Sequence, residues 1–277
     1  MSQVGIVQMT SGPSVMDNLK ALEQQVAALA NQGAQWIVTP ENVILLSDSK
    51  AYHQYAEELG EGPIQQQLST IAQRYGVWLL IGSFPIQREQ GVTTTSILLD
   101  SEGQYQATYD KLHMFDVDVA DSHHSYRESD TFLPGEQVVV AKTPFGSLGL
   151  SICYDLRFPQ LFSELRRQGA EIIVVPAAFT AVTGKAHWEV LLRARAIETQ
   201  CWIIAAGQTG THPCGRQTWG HSMVVSPWGE IVSSLEQHTG GLVVEIDPSV
   251  LSDIRQAMPI IEQSRFCNQL QSIKSEI

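Results

Sequence analysis

Two stretches of this chain nearly coincide, and the repetition restricts the possible folds more than composition does. Asn31-Gln-Gly-Ala-Gln-Trp-Ile-Val-Thr-Pro-Glu41 lines up with Arg167-Gln-Gly-Ala-Glu-Ile-Ile-Val-Val-Pro-Ala177. Each follows a helix-like stretch, residues 15–30 and 159–167, and each of those follows a short strand, residues 4–9 and 148–153. Downstream, residues 62–75 and 186–199 carry helical periodicity and run into strands 77–82 and 201–207. Residues 96–103 and 221–229 then enter Gly-containing hairpin turns, each with a returning strand behind it. Each half reads strand, helix, strand, helix, then three strands. That alternation argues for α/β layers and against a bundle.

The runs Trp78-Leu-Leu-Ile81 and Ile172-Ile-Val-Val175 need apolar cover on both faces. Two sheets packed face to face, with helices outside, would provide it. A chain of 277 residues is long enough for one large shared core, so we read residues 1–266 as a single domain. Residues 267–277 form a weakly periodic C-terminal tail. Net charge is −12 and no Lys/Arg run occurs, which disfavours nucleic acid and anionic membranes as partners. No apolar stretch is long enough to span a bilayer, and no leader-like pattern opens the chain. Cys153, Cys201, Cys214 and Cys267 lack Cys-x-x-Cys spacing and are too few for a disulfide scaffold, so a reducing cytoplasm is expected.

Cys153 ends the apolar run Gly149-Leu-Ser-Ile-Cys153 and opens the polar turn Tyr154-Asp-Leu-Arg-Phe-Pro159. A thiol at a strand end where the chain turns sharply suits an exposed nucleophile. Two other strand-like stretches end similarly, residues 36–40 at Glu41 and residues 104–109 just before Lys111. Singly, these would be a core cysteine, a solvated carboxylate and a surface cation. Together they make a nucleophile, a base and an oxyanion partner. A pocket that raises the Glu41 pKa would suit it as the base for the Cys153 thiol. The backbone N–H of Tyr154 would be a second oxyanion donor beside the Lys111 ammonium.

In that order, Thr39-Pro-Glu-Asn-Val43, Tyr109-Asp-Lys-Leu-His113 and Ser151-Ile-Cys-Tyr-Asp155 resemble the motifs of the nitrilase (carbon–nitrogen hydrolase) superfamily, from about residue 3 to about residue 266. The resemblance implies a four-layer α-β-β-α sandwich of two pseudo-repeated halves and a homodimer. It also implies that Glu128 is the second glutamate, holding Lys111 and helping to position substrate. The stretches 111–118, 128–136 and 153–159 look most like the branch that hydrolyses amides of 2-oxo acids. The expected substrate is the 2-oxoglutaramyl amide of deaminated glutathione. The alternative is a simple amide such as 2-oxoglutaramate or 2-oxosuccinamate. A catalytically silent binding protein of the same fold is the reading of another class.

Arg127 and Arg157 are candidate receptors for a substrate carboxylate, and Arg157 could instead pair locally with Asp155. Phe179 and Thr180, with His187 and Trp188, are candidates for an acyl pocket. Arg193, Arg195 and Glu198 have the spacing of structural pairs on a helix. The histidines lack zinc-site spacing and no Gly-rich phosphate loop occurs, so no metal or cofactor is inferred.

Overall fold

Both copies of the repeated segment fold into a helix end that turns into a parallel strand. Helix α1 (Val15–Asn31) stops where Gly33 takes φ +94°, and the second-half helix Pro159–Arg167 stops where Gly169 also takes φ +94°. This left-handed conformation costs glycine nothing and lets the chain close the helix end by hydrogen bonding. Accordingly Ala34 N–H donates to Leu29 O at 3.1 Å, and Ala170 N–H donates to Leu165 O at 3.0 Å. The repeated Gln-Gly-Ala is therefore a helix stop signal, and the apolar residues after it are strands.

The computed structural model describes residues 1–121, 123–266 and 270. The first half opens with β1 (Ser2–Gln8), α1 and β2 (Trp36–Val38). An insertion of α2 (Ser49–Tyr55) and β3 (Glu57–Glu58) precedes α3 (Pro63–Tyr75). The half ends with the meander β4 (Trp78–Arg88), β5 (Gly91–Leu99) and β6 (Tyr105–Asp110). A small hairpin, β7 (Asp116–Asp118) and β8 (Ser125–Arg127), leads to the second half. There β9 (Val140–Thr143), β10 (Gly146–Leu150), α4 (Pro159–Arg167), β11 (Ile172–Ala177), α5 (Ala181–Thr199) and β12 (Trp202–Gly207) follow. A second small hairpin, β13 (Thr209–Thr211) and β14 (Gln217–Trp219), precedes β15 (Met223–Val225) and β16 (Ile231–Ser234). Strand β17 (Gly240–Ile246), α6 (Val250–Ala257) and α7 (Ile260–Gln263) close the described chain.

The two large sheets have matching orders, β17-β1-β2-β4-β5-β6 and β9-β10-β11-β12-β15-β16. In each, three parallel strands are flanked by antiparallel ones. Side-chain alternation sorts the layers. Val4, Ile6, Trp36, Val38 and Leu80 join one core with Leu148, Leu150, Ile172 and Ile204 of the other sheet. Val7, Ile37, Leu79 and Ile81 face outward, packing with Leu22 and Val26 of α1 and Leu68 and Ile71 of α3. Helices α4 and α5 cover the outer face of the second sheet. This is the four-layer α-β-β-α sandwich.

Some boundaries differ from expectation. Strand β10 ends at Leu150, and Cys153 instead begins a 3₁₀ turn, Cys153–Arg157. Helix α5 begins at Ala181 rather than 186, because the Thr180 hydroxyl caps it by accepting from Thr183 N–H. The expected tail, 267–277, lies outside the described residues apart from residue 270.

Topology positions the site. The parallel strands β2, β10, β11 and β12 all end toward the same edge of the sandwich. Strand β6, antiparallel to a strand that is itself antiparallel to β4, ends there too. The chain thus delivers residues 41, 111, 153, 178 and 208 to one rim, the usual place for a site in such sheets.

Candidate active site

At that rim Lys111 is 1% exposed, Glu41 4% and Cys153 5%. The Lys111 ammonium donates to Glu41 Oε1 at 2.8 Å and to both Glu128 oxygens at 2.8 and 2.9 Å. Glu41 Oε2 accepts from the backbone N–H of Ala178 at 2.9 Å. The Cys153 thiol lies close enough to the Glu41 carboxylate and the Ala178 N–H for both to act on its ionisation. Glu128 Oε2 also accepts from Phe115 N–H at 2.7 Å. The four expected reactive residues therefore form one cluster, on the wall of a cavity of about 180 Å³.

Each is held by its neighbours. Glu41 follows a proline, and its own carbonyl accepts from Gln208 Nε2 at 3.0 Å. Gln208 Nε2 also donates to Ser11 Oγ at 2.7 Å, so three strand ends are tied together. Just before Lys111, Asp110 accepts from Arg88 at 2.9 Å and Thr95 at 2.5 Å, pinning the end of β6. Cys153 has φ +48°, a left-handed conformation that costs a non-glycine residue roughly 1–2 kcal/mol. Buried Asp155 holds that turn by accepting from Ile152 N–H at 2.9 Å and Tyr109 O–H at 2.7 Å. Its other oxygen meets His113 Nδ1 at 2.7 Å, and the His113 ring stacks on Phe158 at 3.6 Å.

Charge and burial compete here. Burial and the Glu41 carboxylate push the Cys153 thiol well up, against the Lys111 ammonium. Burial alone would raise Glu41 too, yet the Lys111 ammonium wins and holds it below the usual glutamate range. A pocket that raised Glu41 would have suited it as the base, but the ion pair inside the pocket reverses that direction. Glu128 goes up, through burial and the charge of Glu41 beside it, against the pull of Lys111. Lys111 itself is held well above its ordinary range, because two carboxylates outweigh its burial. The resting cluster is a neutral thiol against an ionised Glu41.

The carboxylate-receptor candidates separate. The Arg127 guanidinium is spent at the cavity edge on Asp118 at 3.0 Å and on the carbonyls of Val117 and Tyr126 at 3.1 and 2.7 Å. Arg157 does not pair with Asp155, whose oxygens face the other way. It meets His187 Nδ1 at 3.1 Å and lies against the rings of Phe179 and Tyr154. Phe179 and Tyr154 line the cavity as expected. Thr180 does not, being occupied as the α5 cap, and Thr183 one turn later takes that wall. Trp188 is buried, donating to His221 O at 2.8 Å. Arg195 pairs with Glu198 at 2.8 Å, as expected, and Arg193 pairs with Glu189 at 3.3 Å.

Sequence reasoning missed Ala178, Gln208 and Arg216. Ala178 contributes only its backbone, and no side-chain pattern shows that. Gln208 had a signal, a polar residue directly after a fully apolar strand. Arg216 lies in the hairpin turn between β13 and β14 and reaches back into the cavity.

The carbon–nitrogen hydrolase family matches residues 3–256. The chain belongs to the carbon–nitrogen hydrolase family. A deaminated glutathione amidase of Yersinia enterocolitica is 52% identical over 272 residues, covering 97% of this chain and 95% of that protein. Saccharomyces cerevisiae Nit3, a member of branch 10 of the nitrilase superfamily, superposes with a TM-score of 0.86 at 29% identity, covering 96% of this chain and 97% of Nit3. An amidase from Nesterenkonia, solved after Michael addition of acrylamide at its active-site cysteine, gives a TM-score of 0.79 at 26% identity, covering 94% and 98% of the two chains. This hydrolase shares its fold with both solved structures.

Proposed function

We propose that this hydrolase is a thiol amidase that cleaves deaminated glutathione to 2-oxoglutarate and cysteinylglycine. The observation that carries the chemistry is the buried Lys111 ammonium clasped by Glu41 and Glu128 against the Cys153 thiol. The substrate assignment rests on the Yersinia relative, whose name states that activity.

Cys153 is the nucleophile, Glu41 the base, Lys111 the oxyanion partner and Glu128 the residue that positions Lys111. With the thiol pushed up by burial, no standing thiolate exists at neutral pH, so deprotonation accompanies attack. The Sγ–C bond forms as the thiol proton passes to Glu41, and the carbonyl electrons move onto oxygen. Lys111 and the Tyr154 N–H meet that oxyanion. As Lys111 turns toward it, its hold on Glu41 weakens and Glu41 becomes a stronger base. On collapse, Glu41 returns the proton to the departing amine nitrogen, the C–N bond breaks and a thioester remains. Water then gives a proton to Glu41 and attacks the thioester. The C–S bond breaks and the thiol recovers its proton.

A homodimer in a reducing cytoplasm completes the reading. Val190 and Ile197 on one face of α5, with Trp228 beside them, are exposed apolar side chains that a second copy would cover. Cys153, Cys201 and Cys214 are free thiols, and no helix among the described residues is long and apolar enough to cross a membrane. The two halves share an inner core, which supports residues 1–266 as one domain.

The experiment measures 2-oxoglutarate and cysteinylglycine released from deaminated glutathione, beside 2-oxoglutarate and ammonia released from 2-oxoglutaramate. We expect the larger kcat/KM on deaminated glutathione. A tenfold preference for 2-oxoglutaramate, about 1.4 kcal/mol in transition-state binding, would overturn the substrate assignment.

A further inference from the structure

Arg216 combines three properties that no other cavity-lining cation has together. Its Nε is buried and has no hydrogen-bond partner. Among the described residues it makes no ion pair, whereas Lys111 has two and Arg127 one. Its guanidinium is nevertheless fixed in place. Nη2 donates to Ala178 O at 2.5 Å, and the group lies 5.3 Å from the centre of the Tyr126 ring. The hairpin that carries it is anchored from below. Buried His212 joins Thr218 Oγ1 at 2.8 Å and Ser11 O at 2.7 Å, and its N–H donates to Arg216 O at 2.8 Å.

A rigid, half-buried guanidinium whose buried Nε–H has no partner is an incomplete arrangement, because burying an unmatched donor is costly. An anion presenting two oxygens would complete it. The position is suitable as well. Ala178 gives its N–H to Glu41 and its carbonyl to Arg216, so the receptor and the reacting groups are tied to the backbone of one residue. In an extended 2-oxoglutaryl chain the terminal carboxylate lies four bonds from the attacked carbon, about 5 Å away.

We propose that Arg216 is the receptor for the carboxylate at the 2-oxo acid end of the substrate, and so decides which acyl groups this site accepts. This rests on the reading of the substrate as a 2-oxo acid amide. It replaces Arg127, which Asp118 and two carbonyls already occupy. It also takes precedence over Arg157, which leans on His187 and the cavity aromatics. In a chain of net charge −12, such a local cation is what lets an anionic substrate bind at all.

The test pairs deaminated glutathione with its analogue whose 2-oxo carboxylate is a methyl ester. In Arg216→Gln, KM for the acid should rise about ten- to hundredfold, while kcat/KM for the ester should change less than about threefold. Arg216→Lys should recover part of the loss, since it restores charge without the fork. Equal losses on acid and ester would overturn the proposal, as would a selective loss in Arg157→Gln with none in Arg216→Gln. Calorimetric titration with 2-oxoglutarate separates this from the substrate reading. If the wild type binds 2-oxoglutarate and Arg216→Gln does not, the receptor stands even when deaminated glutathione proves a poor substrate. If the wild type does not bind it, the receptor is wrong.

Discussion

The two halves of this molecule have the same strand order and the same helix stops, yet only some of their strand ends carry chemistry. Pro40 leads to Glu41, whereas its counterpart Pro176 leads to Ala177. Parallel pairing matches Ile6 with Val38 and Leu150 with Val174, so Met9 stands after Ile6 as Cys153 stands after Leu150. Likewise Thr108 pairs with Ile97 and Ser234 with Met223, so Gln237 occupies the place of Lys111. The duplicated frame thus offers two equivalent settings. One holds thiol, carboxylate and ammonium, and the other holds thioether, methyl and amide. The hydrophobic pattern builds the frame twice, and the polar residues at strand ends decide where a reaction can occur.

The sharpest way to break that comparison is to exchange residues at equivalent ends. Cys153→Ala should reduce amide turnover to background while leaving the circular dichroism spectrum and unfolding midpoint near wild type, because alanine fits a small buried position. Met9→Ala should do the reverse. Met9 is buried, and truncating it should cost about 2–5 kcal/mol in denaturant unfolding while turnover per folded molecule persists. Appreciable turnover by Cys153→Ala would remove the distinction between the two settings.

Next in size are the charged partners. Lys111→Ala should lose at least about 10²–10³ in kcat, the usual effect of removing one preorganised oxyanion donor. Lys111→Arg should not restore it, since a planar fork cannot sit as a compact charge between two carboxylates. Glu41→Gln should lose turnover severely while changing the thiol in the opposite sense. Burial and the Glu41 charge both push Cys153 up, so deleting that charge should bring the thiol down. Iodoacetamide alkylation of Cys153 against pH should then begin at lower pH in Glu41→Gln than in wild type. An unchanged or higher onset would mean that the Glu41 charge does not govern the thiol.

A single methyl group offers a finer comparison. Gly82 lies against Pro40 just past the last ladder pair, Val38 with Leu80, as Ala206 stands beside Pro176 in the other sheet. A Cβ at Gly82 would lie 2.3 Å from the carbonyl oxygens of Thr39 and Pro40, whereas Ala206 already carries one. The close approach exists because Gly82 N–H donates to Thr39 Oγ1 at 2.9 Å, drawing the strand against the peptide that aims Glu41. Gly82→Ala should therefore cost about 1–3 kcal/mol of stability and at least tenfold in kcat. Ala206→Gly should cost only stability, by about 0.5–1 kcal/mol. If kcat survives in Gly82→Ala, the contact does not aim the carboxylate.

The difference between the halves also explains what was legible in the sequence. The repeat, the helix stops and the layered order could be read because burial imposes periodicity over many residues. Glu41, Lys111, Cys153 and Glu128 could be read because three motifs occur in order, and the structure brings these residues together. The direction of the Glu41 shift could not, because it depends on Lys111 lying 2.8 Å away across a separation of 70 residues. Nor could the Arg216 contacts, since the short hairpins β7–β8 and β13–β14 carry too few apolar residues to announce themselves.

The smallest expected effect tests where the second half stops building and starts contacting substrate. After Pro176 the chain gives a backbone N–H at Ala178, a cavity ring at Phe179 and a helix cap at Thr180. The Thr180 hydroxyl accepts from Thr183 N–H at 3.3 Å and meets the Thr183 hydroxyl at 2.9 Å. Losing such a cap costs about 1 kcal/mol, and its effect should appear in the unfolding midpoint and not in KM. Thr183→Val keeps the helix and the shape but removes a hydroxyl from the cavity wall, so it should change KM with little change in stability. The two measurements together distinguish a residue that holds the site from one that lines it. A KM change in Thr180→Ala as large as that in Thr183→Val would return Thr180 to the acyl pocket, where its sequence position first suggested it.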